Sequence, residues 1–183
     1  MDGLLDLLKR VGALRRAPRT SKGKYPALES PYKPILLLVV LKRIQEGAAP
    51  YSKNEITYDA CLRDFTKLYS RLYGDTGEME PKVVQAFWYL ATGAPRIWSL
   101  TPRPEMATTL KTASEAREQI KSSGKLNKLV AFAAFENGDW NLLNDSDVQQ
   151  ALISFLISEH FPDVRHEVEL LLLENWERSS ALQ

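Results

Sequence analysis

The feature that most constrains the fold is an unbroken apolar run from Ile35 to Leu41, which directly follows Pro34. Proline suits the first turn of an α-helix, because the N–H that it lacks would have no partner there. A helix that is apolar on every side must be covered by other elements on every side, and this run is far too short to cross a bilayer. We therefore expect a buried central helix that ends near Glu46-Gly47 and Pro50.

The remaining sequence predicts an α+β fold that is mainly α-helical. Apolar spacing predicts further helices over residues 3–15, 59–73, 145–160 and 163–176, a polar helix near 112–122, and a short extended segment at 54–58. We expect one compact domain over residues 1–183, with one or two small β-hairpins around the central helix. Its parts are a basic N-terminal helix and arm (1–30), a core (31–165), and a C-terminal helix and tail (166–183).

Turn chemistry predicts the two strand pairs, because Gly, Pro, Asn and Asp favour tight turns. The pairs are Phe87–Leu90 with Arg96–Leu100, around Thr92-Gly93-Ala94-Pro95, and Leu129–Phe135 with Trp140–Leu143, around Asn137-Gly138-Asp139. Apolar residues over 81–90 also fit helical spacing, so a helix is the alternative for the first segment.

Charge is segregated along the chain although the formal net charge is only +1. Residues 1–43 contain ten basic and three acidic side chains, whereas residues 136–183 contain two basic and ten acidic ones. Segregation of this kind bears on partners rather than on fold. The basic end indicates an anionic partner such as nucleic acid or a membrane surface, and the acidic end is expected to face solvent or another protein.

The sequence gives little support for catalysis. Neither GxGxxG nor GxxxxGK[ST] is present, so no glycine-rich phosphate loop is predicted. His160 and His166 do not have a metal-ligand spacing, and a solvated acidic surface is the simpler interpretation of their surroundings. The single cysteine, Cys61, is interpreted as a small buried hydrophobe in a cytoplasmic protein. We expect no catalytic residue, no metal site and no cofactor.

Nucleic acid is the anionic partner that the basic residues favour. Each Lys or Arg of the arm at residues 9–24 could neutralise a phosphate and release counterions. Tyr32 and Lys33 precede the unpaired N–H groups that begin the central helix, which is a natural phosphate seat. Solubilising charge, or an arm that docks an acidic protein, are the alternatives. The candidate DNA-binding residues are Arg10, Arg15, Arg16, Arg19, Lys22, Lys24, Tyr32, Lys33, Arg96 and Arg103.

Four segments in order resemble a known family. Pro31-Tyr32-Lys33-Pro34-Ile35-Leu36-Leu37-Leu38 is similar to the P-[HY]-[KR]-P-L-L-L-L opening of the N-terminal domains of many HNH endonucleases. The other segments are Leu14-Arg15-Arg16, Phe87-Trp88-Tyr89-Leu90 with Ile97-Trp98-Ser99-Leu100, and Ala151-Leu152-Ile153 through Glu159-His160-Phe161-Pro162. Over roughly residues 8–165, the chain resembles the phosphorothioate-DNA-binding (sulfur-binding) domain of modification-dependent, type IV, HNH restriction endonucleases.

The resemblance implies that the domain recognises double-stranded DNA with a backbone phosphorothioate, while a separate HNH domain cuts, as part of bacterial restriction and defence. By position, Tyr32 and Lys33 match the family pair that contacts DNA. The family's Tyr-Pro pocket floor falls on Gln85-Ala86, and the small residue three positions beyond that proline falls on Tyr89. The expected modification pocket therefore consists of Pro81, Gln85, Ala86 and Tyr89.

This departure from the family pattern keeps other functions open. A pocket without Tyr-Pro could serve a reader of another DNA modification or of plain DNA, and a protein–protein interaction module is a further alternative. The partners expected from the leading interpretation are double-stranded DNA and a fused or partner nuclease domain, with no membrane.

Overall fold

The computed structural model describes residues 2–14, 31–74 and 77–174. It confirms a compact, mainly helical α+β fold, and none of its helices is long and apolar enough to cross a membrane. Its elements within these ranges, apart from two short 3-10 turns, are α1 (Asp2–Gly12), α2 (Tyr32–Gln45), α3 (Tyr58–Tyr73), α4 (Glu80–Thr92), β1 (Ser99–Pro102), α5 (Ala107–Glu115), α6 (Ser123–Leu129), β2 (Val130–Ala134), α7 (Asn137–Leu143), α8 (Ser146–His160) and α9 (Arg165–Leu173).

Helix α2 is the predicted buried centre of the fold. Ten of its fourteen residues are buried, and α3, α4 and α8 pack around it. Pro34 lies in its first turn, as expected. The chain leaves the helix through Gly47, whose φ of +68° lies in the left-handed region that favours glycine. The run of apolar residues therefore acts as the common core against which the surrounding helices bury their own apolar faces.

The two strands form an antiparallel ladder between distant parts of the chain. Ser99 pairs with Ala134, and Leu100 pairs with Ala133. The predicted extended segment at 54–58 contributes a single bridge from Ile56 to Ala133. Beside it, the Asn54 side chain donates to the Phe135 carbonyl at 2.9 Å and accepts from the Phe135 N–H at 2.8 Å. This small sheet therefore joins the chain before α3 to the segment that follows α6.

The predicted hairpin between Phe87–Leu90 and Arg96–Leu100 is wrong, because the first segment is part of α4. The residues of α4 that face the core recur at helical spacing, which was the alternative for this segment. The turn residues instead end the helix. At Gly93 a Cβ would lie 2.6 Å from the Tyr89 carbonyl oxygen, so only glycine fits where the chain leaves α4. The second segment does enter a strand, but that strand pairs with β2.

The second predicted pair is half right. Its first strand, Leu129–Phe135, is confirmed as β2, whereas Trp140–Leu143 lies in α7. Asn137-Gly138-Asp139 begins this helix rather than turning a hairpin, and the Trp140 N–H donates to the Glu136 carbonyl at 2.8 Å. Asp139 lies in the first helical turn, where a negative charge is favoured by the helix dipole.

The polar helix predicted near 112–122 is displaced. Helix α5 ends at Glu115, and Arg117 adopts a φ of +50° that continues no helix. Ser122 then begins α6, because its side chain accepts a hydrogen bond from the Lys125 N–H.

The long helices are confirmed within a few residues. Asp145 caps α8 by accepting from two N–H groups.

A buried polar group, which we call the Asp64 cluster, links α2 to α3. The Tyr51 hydroxyl donates to the Asp64 carboxylate at 2.8 Å, and Arg43 Nε lies 3.2 Å from the same carboxylate. Arg63 donates to it from the solvent side at 3.1 Å. Burial raises the pKa of both the Tyr51 hydroxyl and the neighbouring Cys61 thiol. The interpretation of Cys61 as a buried small side chain is confirmed, since it is 0 % exposed.

Candidate nucleic-acid interface

Aromatic and basic side chains meet where the first turns of α2 and α4 approach the last turns of α3. The Tyr32 ring lies 6.0 Å from the Tyr69 ring, and Tyr69 lies 4.9 Å from Tyr73, measured between centroids. The Lys82 ammonium group is 5.6 Å from the Tyr69 centroid, which is within cation–π range. Together with Lys33, these four residues form what we call the tyrosine–lysine surface.

Packing holds this surface in place. Tyr69 is 1 % exposed and stacks on Phe65 at 5.4 Å, so it serves as a fixed base for its neighbours. Lys82 also donates to the Glu78 carbonyl at 2.7 Å. Tyr32, Tyr73 and Lys82 are partly exposed. The surface thus combines ring faces with ammonium groups, which is the usual composition of nucleic-acid-binding surfaces.

The N-terminal end of α2 adds backbone donors to the tyrosine–lysine surface. Hydrogen bonding within the helix begins with the Ile35 N–H, which donates to the Pro31 carbonyl at 3.0 Å. The N–H groups of Tyr32 and Lys33 precede that bond. The first turn holds no acidic residue, and no side chain of the described residues caps it. The positive end of the helix dipole favours a bound anion at such a position.

Three of the four expected pocket residues lie on one face of α4. Pro81, Gln85 and Tyr89 recur every four residues and are exposed or partly exposed, as are Glu80, Lys82 and Thr92 of the same helix. Ala86 is 0 % exposed and belongs to the core. We call Pro81, Gln85, Tyr89 and Thr92 the α4 stripe. Pro81 and Lys82 are consecutive, so this stripe begins beside the tyrosine–lysine surface.

The structure gives Arg10 an internal set of partners. Its guanidinium donates to both carboxylate oxygens of Asp139, at 2.7 and 3.0 Å, to Asp6 at 2.8 Å and to the Arg96 carbonyl at 3.3 Å. The hydrogen bond to Asp139 is the largest influence that raises the pKa of Arg10. These contacts fasten α1 to α7 and give Arg10 a structural role.

The other candidate cations fall in two groups. Arg96 is exposed and pairs with Glu136, and Arg103, also exposed, donates to the Asn127 carbonyl at the far end of β1. Neither is part of the tyrosine–lysine surface. The arm residues Arg15, Arg16, Arg19, Lys22 and Lys24 lie outside the described residues.

Sequence reasoning did not single out Tyr69, Tyr73 and Lys82 as site residues. Phe65, Tyr69 and Tyr73 follow one another at four-residue spacing on α3, and that aromatic stripe was the available signal. It predicted a helix face packed in the core, which is correct for Phe65 and Tyr69.

The two histidines are not brought together as a site. His160 is buried, and its Nε2 lies 2.9 Å from the Val11 carbonyl oxygen, where it helps hold α1 on α8. His166 is exposed on α9. In the portion of the chain that the structure describes, no three His, Cys, Asp or Glu side chains are grouped so that they could hold a metal ion.

The fold and this surface define a mainly helical DNA-binding domain. A family model described as "ScoMcrA-like, DNA sulfur-binding domain" matches residues 5–174. The chain belongs to this family of DNA sulfur-binding domains, and the resemblance noted in its sequence motifs is confirmed. No curated protein sequence matches the chain.

Proposed function

We propose that this chain binds double-stranded DNA and recognises a backbone phosphorothioate, as the reader module of a bacterial restriction system in the cytoplasm. The single observation that carries the proposal is the exposed α4 stripe beside the tyrosine–lysine surface, in a chain of the sulfur-binding family. In this proposal residues 1–183 act as one recognition unit and cutting belongs to a fused or partner nuclease. One hydrophobic core that includes residues of α1, α2 and α9 supports the single unit.

The α4 stripe has the chemistry that sulfur favours over oxygen. Replacing a phosphate oxygen by sulfur gives a larger and more weakly hydrated atom, which gains from contact with apolar groups. Pro81, Gln85 and Tyr89 carry no charge, and Pro81 and the Tyr89 ring offer apolar contact. We assign the modification pocket to these three residues, with buried Ala86 supporting the helix from the core side.

The surrounding cations supply affinity, whereas the stripe supplies selectivity. Contacts to phosphates position a protein on DNA and carry most of the salt-dependent binding energy. We assign phosphate contacts to Tyr32, Lys33 and Lys82, and to the arm residues that precede α2 in the chain. The proline of the family's Tyr-Pro has no equivalent at position 86, so we propose that Pro81, in the first turn of α4, provides the apolar ring here.

Fluorescence anisotropy with one short duplex, prepared with and without a phosphorothioate, tests this proposal at low and near-physiological salt. We expect the wild-type protein to bind the modified duplex more tightly, and the difference to persist at higher salt. Tyr89→Ala is expected to reduce the preference for the modified duplex more than the affinity for the plain one, whereas Tyr89→Phe retains the ring and the preference.

Two other outcomes would point to a different function, and a third would change the residues assigned to the pocket. Equal binding of both duplexes by the wild-type protein would mean that the scaffold recognises another DNA feature, and methylated bases would be examined next. Absence of salt-sensitive DNA binding would favour the protein–protein interaction module. Equal losses on both duplexes for Tyr89→Ala would remove Tyr89 from the selective pocket.

A further inference from the structure

A second cationic feature lies at the opposite end of α4 from the tyrosine–lysine surface. The last turn of α4, strand β1 and helix α5 enclose a cleft of about 260 Å³. The charged side chains that line it are Arg96 and Lys111, both basic, and hydroxyl groups come from Thr92, Ser99 and Ser114. We call this feature the α5 cleft.

The α5 cleft has the donor set of a phosphate site with an apolar wall. Arginine, lysine and hydroxyl groups are the usual side-chain partners of backbone phosphates. Leu100 and Leu110 also line the cleft and offer apolar surface, which suits the deoxyribose next to a phosphate. The volume lies below the roughly 300–1,000 Å³ typical of pockets for whole small ligands, so it suits one unit of a polymer.

Both cations could exchange their present partners for a phosphate at small cost. Lys111 lies 3.9 Å from Glu115, with both side chains at least 69 % exposed. Arg96 and Glu136 are each more than half exposed. Solvent-exposed pairs of this kind contribute little to stability, so replacing the carboxylate by a phosphate loses little.

Helix α4 fixes the spacing between the α5 cleft and the proposed sulfur-contacting residues. Thr92, which lines the cleft, follows Pro81 by eleven positions, and at 3.6 residues per turn the two point to within about 20° of each other. A rise of 1.5 Å per residue separates them by about 17 Å along the helix. Base pairs follow one another every 3.4 Å, so with α4 aligned along the duplex the separation corresponds to about five base pairs. Five base pairs are about half a turn, where the backbone that faces the same side is that of the opposite strand.

We propose that the α5 cleft is a second DNA-backbone site, which takes a phosphate and its deoxyribose about five base pairs from the modification. This inference rests on the proposed DNA binding of the α4 stripe and extends it with a fixed distance and direction. The modification is then recognised at one end of α4, and the α5 cleft anchors the flanking duplex at the other end.

A duplex-length series with the Lys111→Ala variant tests the distance. One phosphorothioate duplex extends ten base pairs on both sides of the modification, and two others are shortened to two base pairs on one side or the other. On the long duplex we expect Lys111→Ala to bind several-fold more weakly, with a salt dependence shallower by about 0.9 for one lost phosphate. On one of the shortened duplexes the variant and the wild-type protein should bind equally.

Arg165→Ala is the matched control, because Arg165 and Glu169 form an exposed pair four residues apart, as Lys111 and Glu115 do. It should leave all three affinities unchanged. A deoxynucleoside monophosphate, added alone and followed by thermal shift, distinguishes a free nucleotide from DNA as the source of the phosphate. Stabilisation that Lys111→Ala abolishes, without any effect of duplex length, would replace DNA by a free nucleotide and overturn the inference.

Failure here is distinguishable from failure of the proposed function. If Lys111→Ala and Arg96→Ala both bind the long duplex as the wild-type protein does, while Lys33→Ala binds it more weakly, the α5 cleft is not a DNA site and DNA binding stands. If the wild-type protein binds no duplex, the proposed function and this inference both fall.

Discussion

Helix α3 contributes a residue to each of two groups that pair a cation with a tyrosine, and the groups differ in what surrounds the cation. In the Asp64 cluster the Arg43 guanidinium lies 6.0 Å from the Tyr51 ring, 3.2 Å from Asp64 and 2.7 Å from Glu46. In the tyrosine–lysine surface the partners of Lys82 include the Tyr69 ring and a peptide carbonyl. The first cation is buried and contacts two carboxylates, whereas the second is partly exposed and contacts a ring and a carbonyl.

The difference shows how similar residues serve the fold in one place and form the proposed DNA-binding surface in another. Arg43 is 7 % exposed, and a buried charge must be balanced within the protein. Lys82 is partly exposed, so water or a bound phosphate can complete its surroundings. A basic residue is therefore a better DNA candidate when its side chain is partly exposed than when it is buried among carboxylates, and three substitutions test this distinction.

The largest effect is expected for Asp64→Ala. It leaves the buried Arg43 without one of its carboxylates and Tyr51 without its acceptor, so we expect the free energy of unfolding to fall by about 3–5 kcal/mol. Urea unfolding measures this loss. Arg63→Ala is the control, because Arg63 contacts the same carboxylate from a side chain that is 63 % exposed, and its loss should cost less than about 1 kcal/mol. Equal losses of unfolding free energy for both variants would contradict the interpretation that the buried partners of Asp64 contribute more than the exposed one.

Arg10→Ala extends the comparison to a residue that the sequence alone made a DNA candidate. Its two hydrogen bonds to Asp139 are made at side-chain exposures of 25 % and 11 %. We expect a loss of about 1.5–3 kcal/mol in unfolding free energy, because the substitution removes the charged hydrogen-bond partner of the largely buried Asp139 carboxylate. Below the melting temperature, the salt dependence of DNA binding should equal that of the wild-type protein.

A shallower salt dependence for Arg10→Ala would place Arg10 at the DNA instead. Arg165→Ala controls for the removal of an exposed arginine from a helix and should change neither quantity.

The sequence alone was enough to predict those elements whose residues are compatible with a single local structure. Proline followed by seven apolar residues favours a buried helix, and an aspartate such as Asp145 is well suited to cap the start of the next one. The segment 92–95 is compatible with two local structures, the end of a helix and the turn of a hairpin, because Gly and Pro are common in both. The choice depended on the contact between Gly93 and the Tyr89 carbonyl and on burial of α4 against α2, neither of which is visible in local sequence.

The candidate site was predictable in the same uneven way. Tyr32 and Lys33 could be named from the sequence, because they stand at the start of the predicted central helix. The approach of Lys82 to Tyr69 depends on how α4 packs on α3, and Arg10 meets Asp139 across 129 positions of sequence. Long-range pairs of this kind decide which basic side chains have acidic partners, so a list of basic residues from the sequence cannot separate structural cations from candidate DNA contacts.

The smallest expected effect, and the one that tests the tyrosine–lysine surface most directly, is that of Lys33→Ala. Lys33 lies in the first turn of α2, beside backbone N–H groups suited to an anion. Loss of one phosphate contact should weaken duplex binding by about 1 kcal/mol, roughly fivefold, and make the salt dependence shallower by about 0.9. Unfolding should stay within about 0.5 kcal/mol of the wild-type value, as for surface substitutions in general.

Lys53→Ala, at an exposed position of the 3-10 turn Tyr51–Lys53, is the matched control and should change neither affinity nor salt dependence. Anisotropy titrations at several salt concentrations measure both quantities. If Lys33→Ala unfolded as readily as Asp64→Ala yet bound DNA normally, Lys33 would belong with the cations that serve the fold. The reverse pattern, weaker binding with unchanged stability, is what a phosphate contact at the start of α2 predicts.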